Sequence, residues 1–144
     1  MGGEILGPIN YIAVEFPGGH ITGEGFEHVL DLVDRGILRV LDLAFLSKAA
    51  DGTVSTVALA DIEHGGRVDV TIWQGAASGM LDQADIDTVA AVIQPGSLAG
   101  ILVYENVWAV PMMTTLDRST ARLVGEGSIL PEDLLTALDA GEPA

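Results

Sequence analysis

Two carboxylates invite a chemical reading first. Glu15 stands near the end of the apolar run Ile9 to Pro17, and Glu105 ends a second run that begins at Leu98. Two acids within reach of one substrate can divide general acid and general base work between them. Both runs read as strands, Ile9 to Pro17 as a central one and Leu98 to Tyr104 as the second core strand. If these are the two central strands of a ferredoxin-like sheet, they run antiparallel and their C-terminal ends lie at opposite edges. The pair is therefore read as structural, each acid bonded to its local turn or standing in a subunit contact, and no catalytic residue is assigned.

The remaining candidates give no site either. His20, His28 and His64 lack the three- or four-residue spacing that places two ligands on one helical face. Asp82, Asp85 and Asp87 lack the alternate spacing, central glycine and terminal glutamate of a calcium loop, and read as an acidic helix start. Gly18, Gly19, Gly23 and Gly25 lie between a strand and a helix, where phosphate loops sit. They spell neither known glycine pattern, and Glu24 and Glu27 would repel an anion. Ser78 is in no nucleophile elbow and reads as loop. No metal and no cofactor is expected.

The elements that would position these residues follow from composition and period. The 144 residues form one domain, 1–144, without cysteine, which favours a reducing compartment and the cytoplasm. The first residues carry no cationic region ahead of a long apolar segment, so a secretory signal is not expected. Six Lys and Arg stand against 21 Asp and Glu, a net charge of −15, in a chain that is 49% hydrophobic. That charge argues against nucleic acid and anionic membrane as partners, while the apolar content argues against disorder. Thr88 to Tyr104 has no charged residue, but Gln94-Pro95-Gly96-Ser97 breaks it, so helix, turn and strand are expected there and no membrane span.

In chain order, the first strand puts Ile12, Val14 and Phe16 on one face and Tyr11, Ala13 and Glu15 on the other. Phe26, Val29, Leu30 and Val33 mark a helix stripe that ends at Arg35-Gly36. Ile37 to Leu46 and Thr53 to Ala60 read as a hairpin about Asp51-Gly52. Residues 61–80 form an irregular glycine-containing insert with a short strand near Val68 to Trp73. Asp82 caps a helix bearing Ile86, Val89, Ala90 and Ile93, and Pro95-Gly96 ends it. After the strand from Leu98, Asn106 is read as the cap of a helix in which Pro111 either makes a kink or marks the start. A last strand is expected at Ala121 to Val124, then a C-terminal helix opened by Pro131 and packed through Leu134, Leu135 and Leu138, with a frayed tail at 141–144. The order suits an α+β fold, a ferredoxin-like antiparallel or mixed sheet with helices mainly on one face and a C-terminal helix added. A sheet face left open in that way would need a second subunit.

Several of these stretches carry a resemblance. Gly7-Pro8-Ile9-Asn10-Tyr11, Val14-Glu15-Phe16-Pro17, Leu32 to Asp42 and Asp51-Gly52-Thr53-Val54 resemble short acidic actinobacterial proteins of unknown function. Ala77-Ser78-Gly79, Pro95-Gly96-Ser97 and Tyr104 to Pro111 extend the resemblance over most of the chain. That group is distantly similar to a broader uncharacterised family in which a glycine-rich, membrane-type hairpin interrupts the domain near where Asp61 to Met80 lies here. This chain has no such hairpin, so membrane anchoring does not carry over. The resemblance implies a shared fold and helix where the period from Arg67 to Trp73 reads as strand, and it supplies no activity.

The functional expectation is a non-enzymatic, self-associating or protein-docking module, a homo-oligomer with a possible protein partner. Trp73, Trp108, Met112 and Met113 are the interface candidates, being large and adaptable apolar residues near a kinked helix. The alternative is a small-molecule-binding protein or cofactor-independent enzyme, with a pocket between sheet and helices lined by Tyr11, Tyr104, Trp108 and Met112.

Overall fold

A computed structural model describes residues 5–21, 23–62, 69–73, 81–125 and 127–141. Four strands, β1 (Ile9–Phe16), β2 (Arg39–Lys48), β3 (Val54–Val57) and β4 (Leu98–Glu105), form one antiparallel sheet in the order β1-β4-β2-β3. Among the described residues four α-helices accompany them: α1 (Glu24–Asp34), α2 (Gln83–Val92), α3 (Val110–Arg118) and α4 (Pro131–Gly141). Because β1 and β2 both run antiparallel to β4, they are parallel to each other, and β4 splits the β1-α1-β2 unit. By the same pairing β2 separates β3 from β4, with α2 between them in the chain. The fold is α+β. Its central strands are β2 and β4, which corrects the reading of β1 as central: β1 is an edge.

Local chemistry sets most of the element ends. Gly36, at φ +72°, closes α1 with Ile37 N–H donating to Leu32 O and Gly36 N–H to Val33 O, a left-handed glycine cap. The hairpin turn works as its sequence suggests, with Gly52 at φ +90° and Thr53 N–H donating to the Asp51 carboxylate at 2.9 Å. Asp82 caps α2 in a reciprocal box, accepting from Asp85 N–H at 2.9 Å while the Asp85 carboxylate accepts from Asp82 N–H at 3.1 Å. Pro111 falls in the first turn of α3, after a 3₁₀ turn at Val107–Ala109, so it starts the helix and does not kink it.

The core lies on both sides of the sheet. On one side Phe26, Val29, Leu30 and Val33 of α1 pack over Leu43, Phe45, Leu98 and Leu102 with the buried Trp73. Gly100 makes this possible, since a Cβ there would stand 2.8 Å from the Phe45 ring. On the other side Ile86, Val89 and Ala90 of α2, with Ile93 just past its end, cover Leu46, Ala99 and Ile101. Helices mainly on one face are thus corrected to one core helix on each. The physical reason is that β2 and β4 are apolar at successive residues, and successive residues point to opposite faces.

Three further expectations change. Residues 121–124 form no strand, and Val124 is 85% exposed. Of the strand read from Val68 to Trp73, Val68 lies outside the described residues and Val70–Trp73 is a 3₁₀ turn. The leucines of α4 do not pack: Leu134, Leu135 and Leu138 are all exposed. Pro131 does open that helix, and of the tail 142–144 lies outside the described residues.

Candidate functional site

The two carboxylates occupy opposite ends of one strand pair. Ile9 faces Glu105 and Glu15 faces Ala99, so the acids stand six positions apart, about 20 Å along the strands. Each is spent on the fold. Glu105, 3% exposed, takes a two-pronged ion pair from Arg39, Nε at 2.9 Å and Nη2 at 2.8 Å, and its other oxygen accepts from Gly7 N–H at 2.8 Å. Gly7 must be glycine, because a Cβ would run into the Asn106 carbonyl. Glu15 accepts from Gln94 N–H at 2.8 Å beyond the end of α2. Neither acid is placed to share a substrate with the other.

Asn106 stands at the N-cap position of the 3₁₀ turn Val107–Ala109, as expected, but its side chain makes no capping bond. Its amide donates to Pro8 O and to the Asn10 side chain, and its oxygen accepts from the Trp108 indole at 3.1 Å. The result ties the entry of β1 to the exit of β4 and holds the Trp108 indole on Asn106. Lys48 was not singled out by its sequence, yet its ammonium donates to Ala90 O and Ile93 O, compensating the carbonyls at the end of α2. Arg39 was missed for the same reason: its partner is 66 residues away, and nothing local marks the pair.

Among the described residues no group of three or more acids and histidines is arranged to hold a metal. His20 and His28 are exposed and separate, and His64 lies outside the described residues. The pocket expected from Tyr11, Tyr104, Trp108 and Met112 does not form. Tyr11 and Tyr104 face opposite sides of the sheet, and Trp108 and Met112 are exposed at 61% and 51%. Met113 is half-buried, and Trp73 is buried in the core against Phe26.

What the structure brings together is β1 and its flanks. Ile9, Tyr11, Ile12 and Val14 are 36%, 61%, 47% and 44% exposed. On the α1 side lies an apolar groove of about 300 Å³ whose lining includes Ile12, Val14, Phe26, Phe45 and Trp73. On the α2 side lies a cleft of about 350 Å³ between Ile9 and Tyr11 and α2, with Asp85 and Thr88 at its polar rim and Ile101 at its floor. Both hollows exist because each core helix sits over the centre of the sheet and stops short of its edge.

The outer edge of β1 can be mapped by phase. Asn106 N–H donates to Pro8 O at 2.8 Å in the register that pairs Ile9 with Glu105. Bonded and non-bonded pairs alternate in an antiparallel ladder. Hence Asn10, Ile12 and Val14 bond to β4, while Ile9, Tyr11, Ala13 and Glu15 turn their N–H and C=O groups outward. Among the described residues no strand pairs with that edge.

No helix among the described residues is long and apolar enough to cross a membrane. Neither the curated proteins nor the solved structures contain a match to the chain. The model of a family of unknown function, DUF6325, matches residues 5–140, and the chain belongs to that family.

Proposed function

We propose that this chain is a non-enzymatic module that works by self-association or by docking a protein partner. One observation carries the reading: β1, eight residues long, has an outer edge that no strand among the described residues pairs with, and apolar side chains exposed on both faces. Trp108 and Met112 are exposed as well, whereas Glu15 and Glu105, the acids best placed in sequence for catalysis, serve as structural acceptors. The net charge of −15 makes a protein surface a better partner than nucleic acid or an anionic membrane, and the absence of cysteine suits the cytoplasm. Light scattering over a dilution series tests self-association. A mass above 15.0 kDa that falls on dilution supports it, and 15.0 kDa at every concentration contradicts it.

The apolar groove on the α1 side favours a second reading, a site for an uncharged apolar small molecule. Trp73 lines it and reports on it. A ligand that quenches Trp73 fluorescence and raises the melting temperature, in a variant with Trp108 replaced by Phe, would favour this reading over the first.

A further inference from the structure

We infer that the partner at β1 is a second copy of this chain, joined antiparallel so that two four-stranded sheets become one of eight strands. This rests on the self-association reading above and names its surface. Pairing across a two-fold axis perpendicular to the sheet requires residues with outward backbone groups to meet others of the same kind. In β1 these are the odd-numbered residues from Ile9 to Glu15, so the geometry is met when Ile12 faces its own copy, or when Ala13 does.

Side chains and charge favour the same arrangement. With Ala13 on the axis, Ile12 faces Val14 of the partner subunit on the α1 side, and both are half exposed in the single chain. Glu15 is the only charged residue of β1, and antiparallel pairing sends the two copies of it to opposite ends. A parallel arrangement in register would set them side by side. Two chains of charge −15 repel over most of their surfaces, and this nearly uncharged strip is where a like-charged copy can approach at least cost. The other edge is a poorer candidate, since β3 has only four residues.

Three full-length chains test the assignment by light scattering: wild type, Ala13→Pro and Val124→Lys. Proline at position 13 removes an outward N–H and leaves the bonds to β4 in place. Val124→Lys alters an apolar residue exposed elsewhere. Wild type and Val124→Lys at twice 15.0 kDa, with Ala13→Pro at 15.0 kDa and an unchanged far-ultraviolet spectrum, is the expected result. A folded Ala13→Pro that keeps the wild-type mass overturns the β1 assignment while self-association stands. A wild type that is monomeric throughout overturns both, and leaves the edge to a strand of a different protein. If Ala13→Pro does not fold, Tyr11→Lys decides in its place: a dissociation constant raised at least tenfold supports the assignment, and an unchanged one overturns it.

Discussion

β1 and β4 are eight residues each, both apolar, both carrying a glutamate at or near the end, and hydrogen-bonded to one another along their whole length. Yet Ala99 and Ile101 of β4 are at most 1% exposed, whereas Tyr11 and Ile12 of β1 are 61% and 47% exposed. Composition does not separate the two strands; position in the sheet does. β4 has neighbours on both edges and a helix over each face, while β1 has one strand neighbour among the described residues and is covered by the helices only in part, Phe16 packing into the core on the α1 side. A strand with β4's apolar content in β1's position leaves those side chains exposed.

The contrast can be broken most forcefully at β4. Ile101→Ala should cost about 3–5 kcal/mol by leaving a cavity under α2, read from urea denaturation. Ile12→Ala, measured in the dilute chain, should cost under about 1.5 kcal/mol, because its side chain is already half in water. Equal losses at the two positions would mean that β1 is covered after all. Next in size is Arg39→Met, which strips the Glu105 carboxylate of its cation while keeping it buried. A loss of about 3 kcal/mol is expected in the same denaturation experiment, against under about 1 kcal/mol for Arg35→Met, whose partner Asp31 is exposed.

Smaller effects sharpen the picture at the helices and turns. Asp82→Ala removes one half of the capping box of α2 and should lower stability by about 1 kcal/mol. The loss should show first as faster amide exchange in the opening turn of α2, with α1 unaffected. The smallest effect is at Asp51. Hydrogen bonds from the side chain and backbone of Thr53 hold its carboxyl below the usual carboxylate range. A depressed folded value means that its contribution is complete above the unfolded pKa and is lost as pH falls through the folded one. An acid titration followed at the Thr53 amide should therefore show the turn loosening only at strongly acidic pH, and Asp51→Asn should abolish that step.

How much of this was legible in the sequence follows from the range of each signal. The α1 stripe, the Asp51-Gly52 turn, the Asp82 cap and the Pro131 start are set by residues within a few positions of one another, and each is where its local chemistry puts it. The strand order, the split of the core helices between two faces and the Arg39–Glu105 pair depend on contacts tens of residues apart, for which period and propensity carry no signal. The alternation in β1 correctly sorted Ile12, Val14 and Phe16 from Tyr11, Ala13 and Glu15. It could not say whether either face would be covered, because an apolar side chain has the same sequence signature covered or bare. Trp73 and Trp108 make the same point: one fills the core, and the other is mostly exposed, its indole bonded to Asn106.

The most direct test of the central claim compares two neighbouring amides, those of Ala13 and Val14, by hydrogen exchange at high and low protein concentration. Val14 N–H bonds to β4 and should be protected at both. Ala13 N–H points outward and should be protected at high concentration and exchange quickly on dilution. Rapid exchange at Ala13 in a concentrated sample, with Val14 protected, would show the edge of β1 open in the assembled protein and would contradict the account.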